Sequence, residues 1–148
     1  MGNTAPATGR VRILVVEDDP TAARFAGYVL GERGGFDVTH VIDPVIAIQR
    51  VAEEHFDLVL ADLDLPHMSG LDLLASVRRI APGLPVVLTT AMAVHAPQAR
   101  ALFSRADAFL EKPIGSRQLI MVTTNLVGSR PGIGRARPPG PAGPPETT

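Results

Sequence analysis

The sequence predicts an α/β fold, a doubly wound sheet of five parallel strands with five helices. Short aliphatic runs alternate along the chain with stretches of helical periodicity, which is the order typical of a parallel sheet covered by helices. The runs are continuously apolar rather than alternating, as expected of strands that are buried on both sides. Because crossovers between parallel strands are right-handed, these helices would cover both faces of one sheet.

Each predicted strand ends where polar residues begin. The strands are expected over 11–16, 36–41, 58–61, 85–89 and 107–110. Parallel α/β sheets bind their ligands outside the carboxyl ends of the strands. Asp62 comes directly after the third strand and is therefore the first candidate for a functional residue, although aspartate is also common in turns.

The predicted helices begin at capping signals. Asp19-Pro20 and Asp43-Pro44 each place an aspartate cap before a proline at the first helical position. A third helix is expected over 71–80, a weak fourth around 97–104, and a last one that Ser116 caps. Helical spacing predicts these inward positions: Ala22, Phe25, Ala26, Val29, Leu30, Ala47, Ile48, Val51, Ala52, Leu71, Leu74, Ala75, Leu119, Ile120, Thr123 and Leu126.

Length and composition limit the function. The 148 residues have the size of one domain, and a formal net charge of −1 gives no broad basic surface, so direct nucleic-acid binding is not expected. The absence of cysteine excludes disulfides, thiol catalysis and cysteine-bound zinc. No apolar run approaches the ~18 residues of a membrane span. A cytoplasmic protein without membrane contact is expected.

The chain is expected to divide into three parts. Residues 1–10 are predicted to be a flexible arm and residues 11–128 one folded domain. Between 129 and 148, Pro and Gly make up 10 of 20 residues and no apolar periodicity remains, so this tail is predicted to be disordered. Its P-x-x-P spacings would also suit an aromatic groove on a partner, but a plain tail is the simpler interpretation.

Reactive side chains follow four of the predicted strands: Glu17 and Asp18, then Asp62, Thr90 and Lys112. Each alone could be a helix cap, a strand end or a solvated lysine. Together at one sheet edge, the carboxylates would repel one another and call for a cation, and hard oxygen ligands suit Mg²⁺. A carboxylate nucleophile, a metal and fixed donors for phosphoryl oxygens are the parts of phosphoryl transfer.

The sequence resembles a known family, the receiver domains of two-component response regulators, in a stand-alone form like the chemotaxis regulator. Four motifs in the same order carry the resemblance, which covers roughly residues 11–127: ILVVEDDP at 13–20, DLVLAD at 57–62 with LPHMSG at 65–70, PVVLTTA at 85–91, and ADAFLEKP at 106–113. The resemblance implies a flavodoxin-like fold and a switch that phosphorylation activates.

The resemblance also implies roles for the site residues. Asp62 would be the phosphoacceptor, and Glu17, Asp18, Asp62 and the backbone carbonyl of Asp64 would hold Mg²⁺. The remaining implied features are the switch hydroxyl of Thr90, the phosphate-pairing Lys112, the aromatic switch Phe109 and a cis peptide bond between Lys112 and Pro113.

The implied partners are a sensor histidine kinase or histidine phosphotransfer protein and a downstream protein, with homodimerisation as a further option. Arg105 and Ile114 replace the glycine and the aromatic usual in the family, which leaves the geometry of partner binding open. No enzymatic activity is implied beyond the domain's own phosphorylation and dephosphorylation. No output domain is expected after residue 128.

Two alternatives compete with this interpretation. A degenerate receiver could serve only as a docking module, but the residues at 18, 62, 90 and 112 are all intact. Asp62 and Asp64 also match the D-x-D motif of haloacid-dehalogenase-type phosphatases. Those enzymes place the metal-binding acid pair after the nucleophile and usually carry a cap domain, whereas here the pair precedes Asp62 and there is no room for a cap.

Overall fold

The computed structural model describes residues 9–91 and 104–128. Nearly all of the arm predicted over 1–10 lies outside these ranges. The same is true of the fourth helix predicted around 97–104, apart from its last residue, and of the tail predicted over 129–148.

The described residues form one sheet of five parallel strands in the order β2-β1-β3-β4-β5. The strands are β1 Arg12–Val16, β2 Asp37–Val41, β3 Leu58–Asp62, β4 Val86–Thr90 and β5 Ala108–Glu111. Each aliphatic run of the sequence became a strand, and the predicted bounds differ from these by only one residue. The predicted fold class, a doubly wound parallel α/β sheet, is confirmed.

Four helices flank the sheet within the described ranges: α1 Pro20–Gly27, α2 Pro44–Glu53, α3 Gly70–Ile80 and α4 Ser116–Gly128. A π-helical segment, Tyr28–Arg33, continues α1 directly, so the single first helix of the prediction is divided into two kinds of turn. None of the described helices is long and apolar enough to cross a membrane.

Two of the three predicted helix caps are as expected. The Asp19 carboxylate accepts a hydrogen bond from the Ala22 amide, and the Asp43 carboxylate accepts one from the Val45 amide. The prediction for Ser116 is wrong, because the first helical hydrogen bond of α4 runs from the Leu119 amide to the Gly115 oxygen at 3.0 Å. Ser116 is therefore the first helical residue, and Gly115 stands at the cap position.

The core has two layers, one on each face of the sheet. Alternate residues of β1 point to opposite faces: Leu14 and Val16 pack with α2 and α3, whereas Ile13 and Val15 pack with α1 and α4. The layer under α2 and α3 includes Ala47, Val51, Val59, Ala61, Leu73, Leu74, Val77, Val86 and Leu88. The layer under α1 and α4 includes Ala26, Val29, Leu30, Leu58, Leu60, Val87, Leu110 and Leu119.

Some predicted core positions are wrong. Ala52 is exposed near the end of α2, and Phe25 is 39% exposed on α1. On α3 the prediction holds for Leu74, which is buried, and Leu71 is half-buried but packs against the core; Ala75 is only half-buried, and Leu73 and Val77 are buried although they were not predicted.

At the sheet edge opposite the candidate site, two aspartates each tie the start of their own strand to the start of the strand beside it, Asp57 joining β3 to β1 and Asp107 joining β5 to β4. An oxygen of Asp57 accepts a hydrogen bond from the Arg12 amide, and an oxygen of Asp107 accepts one from the Val86 amide, both at 2.8 Å. These side chains align the strands whose carboxyl ends carry the candidate residues.

Candidate functional site

Glu17, Asp62 and Lys112 meet at the carboxyl edge of the sheet, after β1, at the end of β3 and after β5. The Lys112 Nζ atom lies 3.3 Å from Glu17 Oε1 and 3.3 Å from Asp62 Oδ2. Glu17 is 6% exposed and Asp62 is 8% exposed. One ammonium group is thus shared by two buried carboxylates that are 45 residues apart in the chain.

The carboxylate of Glu17 is held on both sides. Its Oε1 accepts from Lys112, and its Oε2 accepts from the Asp19 amide at 3.2 Å. Burial raises the pKa of the Glu17 carboxyl, and the negative charge of Asp62 raises it further, although the Asp19 N–H and Lys112 oppose the shift. Without a cation, this site therefore disfavours a fully ionised Glu17.

Lys112 shows the complementary effect. Burial lowers the pKa of its ammonium group, but the charges of Asp62 and Glu17 outweigh burial and raise the pKa above its ordinary value. Lys112 therefore stays charged across the neutral range, as an ion-pair partner of an anionic site must.

Glu17, Asp18 and Asp62 together form a group that could hold a metal ion. Each offers one carboxylate oxygen, and these atoms all lie within 4.8 Å of one another. Two of the side chains are buried and Asp18 is exposed, so water can reach the group from the Asp18 side. Carboxylate oxygens with access to water are the donor set that Mg²⁺ prefers, so the residues present fit this ion.

Asp62 is fixed by its neighbours in the loop after β3. Its Oδ1 accepts a hydrogen bond from the Asp64 amide at 3.2 Å, while its Oδ2 faces Lys112. The Asp64 side chain itself is exposed. The predicted role of the Asp64 carbonyl as a metal ligand stays a prediction.

Gly70 allows this loop to close tightly against β3. The Gly70 amide donates to the Leu63 oxygen at 2.7 Å, and the Leu63 amide donates to the Thr89 oxygen at 2.8 Å. A Cβ atom on Gly70 would lie 2.7 Å from the Asp62 carbonyl oxygen and 2.8 Å from the Leu63 Cα. Only glycine fits this contact, which holds the start of α3 against the residue that carries the central carboxylate.

Thr90 lies on β4, the strand beside that of Asp62, and Phe109 lies on β5, the strand that leads to Lys112. Thr90 is buried at the end of β4, and its carbonyl accepts a hydrogen bond from the Lys112 amide at 2.7 Å. Phe109 is half-buried on β5 and packs against the core under α2 and α3. The peptide bond between Lys112 and Pro113 is cis.

A cavity of about 330 Å³ opens beside the acidic group. Glu17, Asp62 and Lys112 line one part of it, and most of the other lining side chains, Phe25 and Ile114 among them, are apolar. The structure therefore brings the predicted carboxylates and lysine together next to a mostly apolar recess between α1 and the start of α4.

Comparison with known proteins agrees with this arrangement. The family model of the response regulator receiver domain matches residues 13–124, which include every candidate site residue from Glu17 to Lys112. The chain belongs to this family. It contains the receiver domain of a two-component response regulator.

Curated relatives of the receiver domain are longer proteins. The DNA-binding response regulator MtrA of Mycolicibacterium smegmatis is 41% identical over 114 residues, which are 76% of this chain and 49% of MtrA. The chain thus spans about half the length of such relatives. The DNA binding in MtrA's name belongs to that protein, so it neither supports nor overturns the expectation that this receiver domain binds no nucleic acid directly.

Solved structures share the fold. A CheY-like receiver domain protein from Methanospirillum hungatei has a TM-score of 0.74 at 26% identity, over 82% of this chain and 96% of its own. The receiver domain of the sensor histidine kinase PA1611 from Pseudomonas aeruginosa has a TM-score of 0.72 at 24% identity, over 81% of this chain and 99% of its own. The PA1611 structure carries a magnesium ion in its active site cleft.

Sequence reasoning missed one residue at the site. The Nε2 atom of His40 lies 2.8 Å from the backbone oxygen of Glu17. No sequence signal indicated this contact, because a histidine at an exposed position of a strand is ordinarily solvated and its partner here is a backbone atom.

Proposed function

We propose that this receiver domain is a phosphorylation-controlled switch, which accepts a phosphoryl group on Asp62 from a sensor histidine kinase or a histidine phosphotransfer protein. The single observation that carries the proposal is the position of Lys112 Nζ, 3.3 Å from both Asp62 and Glu17, beside three carboxylates that could hold a cation. Candidates for a nucleophile, a metal site and a fixed positive charge thus lie together at one sheet edge.

Glu17, Asp18 and Asp62 would hold Mg²⁺ through their carboxylates, with the Asp64 carbonyl as a further ligand. When bound, the ion supplies positive charge that neutralises the acids and the incoming phosphoryl oxygens. The raised pKa of Glu17 supports this role. Burial and the charge of Asp62 disfavour the ionised form of its carboxyl group, and a nearby cation would stabilise that form.

Asp62 would be the nucleophile. A carboxylate oxygen forms a bond to phosphorus while the P–N bond of the donor's phosphohistidine breaks, and the imidazole leaves with the bonding electron pair. The Asp64 amide on Oδ1 and Lys112 on Oδ2 hold the carboxylate in one orientation before the reaction, which lowers its entropic cost.

Lys112 and Thr90 would then secure the product. Lys112 can pair with a phosphoryl oxygen, because its ammonium group already lies next to Asp62. Thr90 ends the adjacent strand, and its hydroxyl can donate a hydrogen bond to another phosphoryl oxygen. The movement of Thr90 would let Phe109 turn inward, which would change the surface that a downstream protein or a second copy of the chain recognises.

The proposal includes the setting of the domain. We place the receiver domain at residues 11–128 and the protein in the cytoplasm. It would catalyse no reaction other than its own phosphorylation and dephosphorylation. The cavity beside Asp62 offers a donor protein access to the nucleophile next to apolar side chains of α1.

Beryllofluoride with Mg²⁺ tests the proposal, since this anion mimics an aspartyl phosphate. We expect wild-type protein to show NMR shifts around Asp62 and Lys112, and the Asp62→Asn variant to show none while keeping its fold. Asp37→Asn, at the opposite end of the sheet, is the matched control and should respond like wild type.

Acetyl phosphate with Mg²⁺ should likewise phosphorylate the wild type and the control but not Asp62→Asn. If Asp62→Asn were still phosphorylated, Asp62 would not be the phosphoacceptor. A wild type that responds to neither reagent would support the docking-module alternative.

A further inference from the structure

The His40 side chain contacts the acidic site from the edge of the sheet. It lies exposed on β2, the edge strand, and its Nε2 atom lies 2.8 Å from the backbone oxygen of Glu17. Because a carbonyl oxygen only accepts hydrogen bonds, Nε2 carries the proton and is the donor of this hydrogen bond. The neutral Nε2–H tautomer and the imidazolium both do so, and the contact therefore requires no particular charge on His40.

The Glu17 carbonyl lies where the backbone ladder stops. β1 and β2 pair up to Val16 and Val41, and the Glu17 amide then donates to the Val41 oxygen at 3.1 Å. Strand β2 ends at Val41, and the chain turns into the Asp43 cap of α2. The His40 ring thus supplies a donor to the Glu17 oxygen beyond the end of the regular strand pairing.

With this contact, every polar part of Glu17 has a partner. Its amide is held by Val41, its carboxylate by Lys112 and the Asp19 amide, and its carbonyl by His40. Asp18 follows directly, and its side chain is exposed. The direction of the Glu17–Asp18 peptide therefore decides where the Asp18 carboxylate lies relative to Asp62.

We propose that His40 is a positioning residue of the metal site, whose Nε2–H fixes the Glu17–Asp18 peptide so that both carboxylates face the cation. This inference rests on the proposed Mg²⁺ site. Pre-arranged ligands bind more tightly because less chain entropy is lost on binding. Groups that orient metal ligands are typically worth about 10- to 100-fold in affinity, and since His40 acts through the backbone from an exposed position, we expect about 3- to 10-fold.

The test compares Mg²⁺ dissociation constants, measured by NMR titration without any phosphodonor. His40→Leu keeps the bulk of the side chain but removes the donor, and should bind Mg²⁺ about 3- to 10-fold more weakly. His40→Gln carries an N–H donor on a side chain of similar length and should recover most of the affinity. Ile42→Ala truncates an exposed neighbour in the same segment and should bind like wild type.

The outcomes separate a positioning role from a structural one. Wild-type affinity in His40→Leu would overturn the inference. Equal weakening in His40→Leu and His40→Gln would also overturn it, because the loss would then follow the shape of the ring rather than its donor. A wild type that binds no Mg²⁺ would contradict the proposed function itself and the inference with it.

Discussion

Thr90 and Phe109 lie on the same face of two adjacent strands. Phe109 is the register partner of Leu88 on β4, and Thr90 follows Leu88 by two residues. This face packs under α2 and α3. A displacement of Thr90 toward a phosphoryl group on Asp62 would therefore change the space available to the Phe109 ring.

Thr90→Ala should accept a phosphoryl group but fail to pass the resulting conformational change to the surface. The variant keeps Asp62 and Lys112 but lacks the hydroxyl that would move. We expect beryllofluoride to change amide exchange over residues 104–128 in wild type and in Thr90→Ser, which retains a hydroxyl, but not in Thr90→Ala. If Thr90→Ala responded like wild type, Thr90 would have no part in the switch.

Glu17 should make the metal-free fold less stable as the pH rises. Its folded pKa is raised above the ordinary 4.5, chiefly by burial, so the folded state binds more protons than the unfolded state in that range. The free energy of unfolding contributed by Glu17 is thus highest below pH 4.5 and falls as the pH rises through the folded pKa.

Thermal unfolding of wild type and Glu17→Gln between pH 4 and 8 in EDTA checks this prediction. The melting temperature of wild type should fall relative to that of Glu17→Gln as the pH rises, and Mg²⁺ should reverse the trend in wild type alone. Parallel curves for the two proteins would show that the Glu17 carboxyl titrates alike in the folded and unfolded states.

The sheet and its functional edge could be predicted because their signals are local. Apolar runs end directly before Glu17 and Glu111 and beside Asp62, and parallel strands bring such ends, with Lys112 after the last, to one edge of the sheet. The Asp19 and Asp43 caps were predictable for the same reason, since a cap contacts an amide only two or three residues away.

Features that depend on contacts distant in the sequence could not be predicted. Helical spacing alone could not tell that Ala75 would be only half-buried while Leu73 and Val77 would be buried, because the side of α3 that meets the sheet depends on contacts with distant residues. The His40 contact was hidden because it depends on where the pairing of β1 and β2 stops.

Gly70→Ala should destabilise the fold. The added methyl group would lie 2.7 Å from the Asp62 carbonyl oxygen and 2.8 Å from the Leu63 Cα, and backbone atoms can retreat only if the start of α3 moves. We expect a loss of about 1–3 kcal/mol in the free energy of unfolding, the range usual for overpacking. Gly83→Ala is the control, because no heavy atom beyond its two chain neighbours lies within 4 Å of its Cβ position, and urea denaturation of both variants measures the difference. Equal stability of the two variants would mean that the loop after β3 adapts to the methyl group without strain.

Asp18→Ala should weaken Mg²⁺ binding without abolishing phosphorylation. Asp18 is the exposed member of the three carboxylates, so its removal leaves the buried Glu17 and Asp62 in place and the fold largely unaffected. We expect the Mg²⁺ dissociation constant to rise by at least about 10-fold, as is usual when a metal site loses a contributing group. Phosphorylation by acetyl phosphate should then be slow at low Mg²⁺ and recover in part at high Mg²⁺, because mass action refills a weakened site.

Glu53→Ala removes an exposed acid at the far end of α2 and should leave the Mg²⁺ dependence unchanged. If added Mg²⁺ did not change the rate at which Asp18→Ala is phosphorylated, Asp18 would not be a ligand. The cation would then have to be held by Glu17 and Asp62 alone.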